Sequence, residues 1–391
     1  MYFMLLPPIF ASLRGEFGVG DPKLGLALGV LGFVVTALQL PFGHLSDTRS
    51  RTLVLTISLV FGVVGTVLTA TAQSYAWLLV AQVVLGVGIA GHHPAHYPLL
   101  SAATDAGQRG RAYSVHGFTG ALGFAAPPAI VAVGSSIGVG WRASLWLIAA
   151  IGAVYAVVCL AAFSRYVDGD VTHPTVEPRP STDDRPLARR ILTELRTLLS
   201  QPAILLLTVL WFVSSMASWG IRQYTATLLS DGYGLSLADA NLVVAAMLGI
   251  GAVLIFGGGW LTDRFSAGPV LLAGYAALVV VAGTLAWGVL PALAVVPVAL
   301  ALSTTVDSSR PARARLADLF STDDSVGKNF GLLTIGISGG GAVAPPVLGV
   351  VVESLGIEAA FAFIAATGVA SLVLTWVVLA RNERTRTAAP A

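Results

Sequence analysis

The sequence predicts an all-α membrane protein made of two parallel six-helix repeats, and three observations carry that prediction. Hydrophobic residues are 55% of the chain, charged residues only 11%, and the mean hydropathy is +0.82. Soluble domains carry about 25% charged residues, so lipid is the solvent for most of this chain. Apolar runs recur at 24–45, 52–72, 75–100, 111–134, 141–163, 203–229, 237–261, 268–289, 292–315, 329–352 and 357–380. Each is close to the ~20 residues that cross a bilayer as helix, and lipid admits no open sheet. A short charged turn occurs twice between such runs. Gly43-His44-Leu45-Ser46-Asp47 and Gly259-Trp260-Leu261-Thr262-Asp263 both read Gly-x-Leu-(Ser/Thr)-Asp, with the aspartates 216 residues apart.

The opening stretch, MYFMLLPPIFASL, is too short to span a membrane and lacks the basic leader and small-residue cleavage site of a signal peptide. Phe17-Gly18-Val19-Gly20 aligns with Tyr233-Gly234-Leu235-Ser236 at the offset of the two turns, so Met1 matches Ala217 inside segment 7. The opening is therefore expected to be a truncated first helix. Segment 2 ends in Gln39-Leu40-Pro41. Segment 4 carries Gly91-His92-His93-Pro94-Ala95-His96, and segment 5 is rich in glycine before Pro127-Pro128. Gly140-Trp141-Arg142 starts segment 6. From 164 to 200 the composition turns to Pro, Asp and Arg, the signature of a linker. Its second part spaces Leu187, Ile191, Leu195 and Leu198 as a helix lying flat on the membrane surface. The expected division is residues 1–163, linker 164–200 and residues 201–391. The second half repeats the first: Gly341–Pro346 mirrors Gly123–Pro128, and Pro311 mirrors Pro94.

Charge placement sets the orientation. With the Asp47 turn on the cytoplasmic side, alternate loops place sixteen Lys and Arg inside and only Arg14, Lys23 and Arg142 outside. That satisfies the positive-inside rule and makes the C-terminus cytoplasmic. The net charge of +2 carries no basic face for nucleic acid. The single cysteine, Cys159, excludes an internal disulfide.

The duplicated turn resembles the loop motif between segments 2 and 3 of major facilitator superfamily transporters, with its weaker echo between segments 8 and 9. His93-Pro94, Arg109–Gly117 and Gly120–Phe124 resemble the fosmidomycin-resistance branch of that superfamily, a group of efflux proteins. The resemblance implies the major facilitator fold: two six-helix bundles related by a pseudo-two-fold along the membrane normal. It also implies alternating access to a path between the halves. This sequence departs from the family pattern at Thr48, where a basic residue is usual, at Ser50, where a glycine is usual, and at Gln82, where many proton-coupled exporters have arginine.

Two sets of residues are candidates. Asp47 and Asp263 sit at helix C-termini, where a carboxylate is unfavourable and needs a positive partner. Symmetry offers Lys328 at the start of segment 11 for Asp47, and Arg109 and Arg111 at the start of segment 5 for Asp263. With Arg51 and Arg264 these form the expected gate. In the path, Gln39, His92, His93, His116, Arg222, Tyr224, Asp307 and Arg310 are the polar and ionisable candidates, since such groups inside a membrane are costly and functional by default. Histidine titrates near neutrality, which suits a proton as coupling ion. The His92/His96 pair shares a helix face and could hold zinc, but no carboxylate or cysteine stands near in sequence, so no metal is expected. Arg222, Arg310 and Arg313 against Asp307 favour an anionic ligand.

The expected function is a secondary active transporter, proton-coupled and exporting a small anionic or amphipathic compound. Uptake of an organic anion and a non-transporting sensor are the alternatives. No P-loop, HExxH or paired-carboxylate pattern supports an ATP-driven pump or an enzyme. No cofactor is expected. A monomer in the plasma membrane, with a small molecule, a proton and lipid as its partners, completes the expectation.

Overall fold

A computed structural model describes residues 1–105, 108–172, 202–318 and 326–388. Among them helix alone is regular structure, and no strand occurs. Two 3-10 turns, Tyr2–Met4 and Pro7–Ile9, lead into α1 (Phe10–Phe17). Then follow α2 (Asp21–Thr48), α3 (Arg51–Ala70), α4 (Tyr75–Ala103), α5 (Arg109–Ser136), α6 (Trp141–Tyr166) and the single turn α7 (Gly169–Thr172). After the linker come α8 (Pro202–Thr227), α9 (Leu237–Phe265), α10 (Ala267–Ala286), α11 (Ala292–Val306), α12 (Arg310–Asp318), α13 (Val326–Leu355) and α14 (Ile357–Ala388). Ten of the described helices are long and apolar enough to cross a membrane. The surface helix expected at 187–200 lies outside the described residues.

The ninth expected span, 292–315, is broken. α11 ends at Val306, Asp307–Ser309 form a turn, and α12 restarts at Arg310. Pro311 has no N–H to give the Asp307 carbonyl four residues back; the Arg310 N–H takes that carbonyl instead, at 3.3 Å. Proline alone does not break a helix here, because α4 runs through Pro94 and Pro98. At 307–309 the Asp-Ser-Ser side chains also compete for backbone partners, and the Ser308 hydroxyl donates to the Thr304 carbonyl.

Helices from the two ends of the chain pack in two cross-pairs, α2 with α13 and α5 with α9. The first pair is close because of a glycine stripe. A Cβ on Gly25 would sit 2.3 Å from the Pro345 carbonyl oxygen, and one on Gly32 2.8 Å from the Ala342 Cα. Small residues let membrane helices approach in this way, where no hydrophobic effect drives them together. The opening stretch lies in the middle of the core: Met4, Leu6, Ile9, Phe10 and Leu13 are buried. Outward faces stay apolar, as lipid requires, with Phe33, Val157 and Trp376 exposed.

Candidate functional site

The break in the ninth span places ionisable groups inside the bundle. Asp307, at the end of α11, accepts from Arg222 of α8 at 2.6 Å, and both side chains are nearly enclosed, at 10% and 12% exposed. Arg222 also donates to the Ser218 carbonyl at 3.1 Å and to the Ser218 hydroxyl. Its guanidinium lies 6.0 Å from the rings of Phe124 and Trp219. Because Phe124 belongs to α5, the ion pair touches the other half of the molecule. Arg310 is 4.0 Å from Asp307, and Arg313 donates to Ser214 at 3.0 Å. Gly251 makes room for the carboxylate: a Cβ there would be 2.5 Å from Asp307 Oδ2. Of the buried carboxylates among the described residues, Asp21 and Asp307, Asp21 starts α2 and Asp307 lies within the bundle.

A second polar cluster is built from α4 and α5. Helical pitch stacks His92 and His96, with ring centroids 4.4 Å apart, and His116 of α5 meets His96 at 4.0 Å. Tyr97 and His93 extend the cluster. His96 is buried; its Nδ1 lies 2.6 Å from the His92 carbonyl, and its Nε2 has no partner among the described residues. Leaving a buried acceptor unpaired costs about 1–3 kcal/mol. A cavity of about 500 Å³ runs between α4 and α5 from Thr104, Gln108 and Arg111 to His116.

The two ends of the bundle differ. At the Asp21 end, Arg14 donates to Asp21 at 3.1 Å and to Asp231 across the halves. Asn241 donates to the Pro8 carbonyl at 2.9 Å, and Arg142 pairs with Glu16 at 2.5 Å. That end is tied shut. At the Asp47 end the cavity opens.

Sequence reasoning missed the Arg14 tie. Its signal was the repeat offset: Arg14 and Asp231 are 217 residues apart. Phe3 and Trp219, 216 apart, also meet, at 4.8 Å. Residues on the pseudo-two-fold face their own repeat mates.

The expected gate is arranged differently. Asp263 pairs with Arg315 of α12 at 2.9 Å, within its own half, because the helix break swings α12 beside the end of α9. Arg111 is exposed on the cavity wall, and the Arg109 side chain lies outside the described residues. Arg51 donates to the Val171 carbonyl at 3.0 Å, and Arg264 stacks 5.8 Å from Phe265. Asp47 is exposed and has no ion-pair partner among the described residues; the Lys328 side chain is outside them. Of the path candidates, Gln39 accepts from Ser338 of α13 at 3.4 Å, which puts it between the halves. Tyr224 lies in the core. It is fully buried and donates to the Pro345 carbonyl at 2.8 Å, with its ring edge against Phe10, so it holds α8 to α13.

A membrane-spanning helical bundle with a buried ion pair beside a small pocket, and a histidine cluster beside a separate cavity of about 500 Å³, is an architecture that suits a small-molecule transporter. The comparisons name its family. The Major Facilitator Superfamily profile matches residues 1–309, and the chain belongs to that superfamily. It is 23% identical over 385 residues to the uncharacterized MFS-type transporter YfnC of Bacillus subtilis, covering 95% of this chain and 88% of that one. It is 27% identical over 256 residues to the fosmidomycin resistance protein of Escherichia coli, covering 65% and 60%. Among solved structures, the nucleoside transporter NupG superposes with a TM-score of 0.74 at 13% identity, covering 97% and 95%. A bacterial homologue of the lysosomal transporter Spinster superposes with a TM-score of 0.71 at 17% identity, covering 97% and 92%. The chain is a transporter and not an enzyme.

Proposed function

We propose that this transporter carries a small organic anion by alternating access, coupled to protons, with its halves divided at the 164–200 linker. The observation that carries the reading is the Arg222–Asp307 pair inside the bundle. A permanently charged guanidinium held by one carboxylate is a switch. A proton on Asp307 frees Arg222 for a carboxylate or phosphonate, and Arg310 at 4.0 Å strengthens the same site. His92, His93 and His116 line the route between this site and the cavity mouth. The positive-inside count puts the Asp47 end and the C-terminus in the cytoplasm, so the described state is open inward, in the plasma membrane. Arg14 is then the outer latch. Asp47, Lys328 and Arg111 act at the inner end when it closes. The protein works as a monomer, since each chain contains its own path.

Export of a fosmidomycin-like anion is the reading supported by the segment 4 and 5 likeness and by the 27% identical relative. Uptake is the second reading, favoured by one observation: proton and anion assist each other at the Arg222–Asp307 pair, which is the logic of co-transport. Proteoliposome counterflow with fosmidomycin and a panel of organic anions, under pH gradients of either sign, tests both. Accumulation is expected under one sign only, and that sign reads the direction. Asp307→Asn should keep counterflow and lose pH-driven accumulation, and Arg222→Gln should lose both. A flux indifferent to pH, or an Asp307→Asn protein still driven by it, overturns the proposal.

A further inference from the structure

We infer that His92, His96 and His116 form a binding site for a divalent transition-metal ion, with Zn²⁺ the best match, beside the cavity that His116 lines. The sequence hid the third ligand, because it comes from α5 and is itself histidine. One ring nitrogen from each of the three lies within 4.8 Å of the other two. Zinc–nitrogen bonds of about 2.0–2.1 Å in a tetrahedron put donors about 3.3 Å apart, so the rings must close by roughly 1.5 Å. His92 and His116 are only half-buried and have room to turn.

Two features of His96 point to a ligand independently of that spacing. Its Nδ1 lies 2.6 Å from the His92 carbonyl, so Nδ1 carries the proton and donates. That fixes the tautomer and leaves the Nε2 lone pair free, which is how backbone carbonyls orient metal-bound histidines. His96 is also only 6% exposed, yet Nε2 has no hydrogen-bond partner among the described residues. A metal ion supplies that partner.

Three neutral imidazoles select Zn²⁺, Co²⁺, Ni²⁺ or Cu²⁺ over Mg²⁺ and Ca²⁺, which take oxygen ligands. Three protein ligands leave a fourth position for water or an anionic oxygen. The inference stands whatever the direction of transport or the coupling ion, because binding is read at equilibrium.

The test uses the full chain, purified in detergent without a polyhistidine tag. Equilibrium dialysis against Zn²⁺ with elemental analysis should give one ion per chain, and Co²⁺ should give the intense visible bands of four-coordination. His96→Gln and His116→Gln should each weaken Zn²⁺ binding at least about tenfold, while Asp239→Asn, exposed at the start of α9, should not. Size exclusion and helical circular dichroism check folding; if His96→Gln misfolds, half-buried His116 carries the test. No saturable Zn²⁺ binding by the parent, or a His116→Gln protein that binds like the parent, overturns the inference.

Discussion

Breaking the Arg222–Asp307 pair from either side should be costly, and breaking it from both sides should cost little more. At 2.6 Å and an effective dielectric of about 20, the gross attraction is about 6 kcal/mol, most of it offset by the desolvation of two nearly enclosed charges. What a mutation exposes is the stranded partner, at about 3–5 kcal/mol. Asp307→Asn leaves Arg222 with the Ser218 carbonyl at 3.1 Å and the Ser218 hydroxyl. This softens the loss to about 3 kcal/mol, the low end of that range. Arg222→Gln leaves Asp307 with Arg310 at 4.0 Å, so about 2 kcal/mol is expected. The double variant strands neither charge and should lose about 3 kcal/mol. The coupling is then about 2 kcal/mol, roughly 30-fold in the equilibrium constant. Unfolding of the four proteins in mixed micelles, followed by circular dichroism, measures it. Additivity within about 0.5 kcal/mol refutes the claim that these two charges depend on each other.

Three further outcomes follow from the same geometry. Gly251→Ala puts a methyl against Asp307 Oδ2; it should cost about 1–3 kcal/mol and shift the pH dependence of transport as Asp307→Asn does, which vesicle uptake at several pH values checks. Arg14→Gln unties a partly exposed pair worth less than about 1 kcal/mol. Maleimide labelling of Val19→Cys in a Cys159→Ser background should therefore quicken by no more than about fivefold, with transport retained. Tyr224→Phe should lose about 1 kcal/mol of stability and leave transport rates unchanged, as thermal unfolding and counterflow can show side by side.

How much of the site was legible in the sequence depended on whether its members were neighbours along the chain. Asp307 and Arg310 lie one helical turn apart, so their proximity could be read directly. Arg222 stood out because arginine in a span demands a partner. That its partner is Asp307, 85 residues away, follows from α8 packing near the end of α11. Tyr224 looked the same as Arg222 on paper; only packing distinguishes a hydroxyl that holds a neighbouring carbonyl from one that faces a path. The broken span was also hidden. Pro94 and Pro311 are repeat mates, yet α4 continues through its proline while the chain turns at Asp307–Ser309.

The sequence by itself determined the solvent, ten of its eleven expected spans and the duplication. Those follow from apolar run length and residue offset, which are properties of the chain alone. Tertiary structure decided which charges meet: Arg14 with Asp231, Asp263 with Arg315, and His116 with the pair on α4. The physical reason is that lipid rewards apolar side chains wherever a helix meets it, so periodicity reports the bilayer. A buried polar group is stabilised only by a partner at hydrogen-bond distance, and that partner is chosen by how the helices pack.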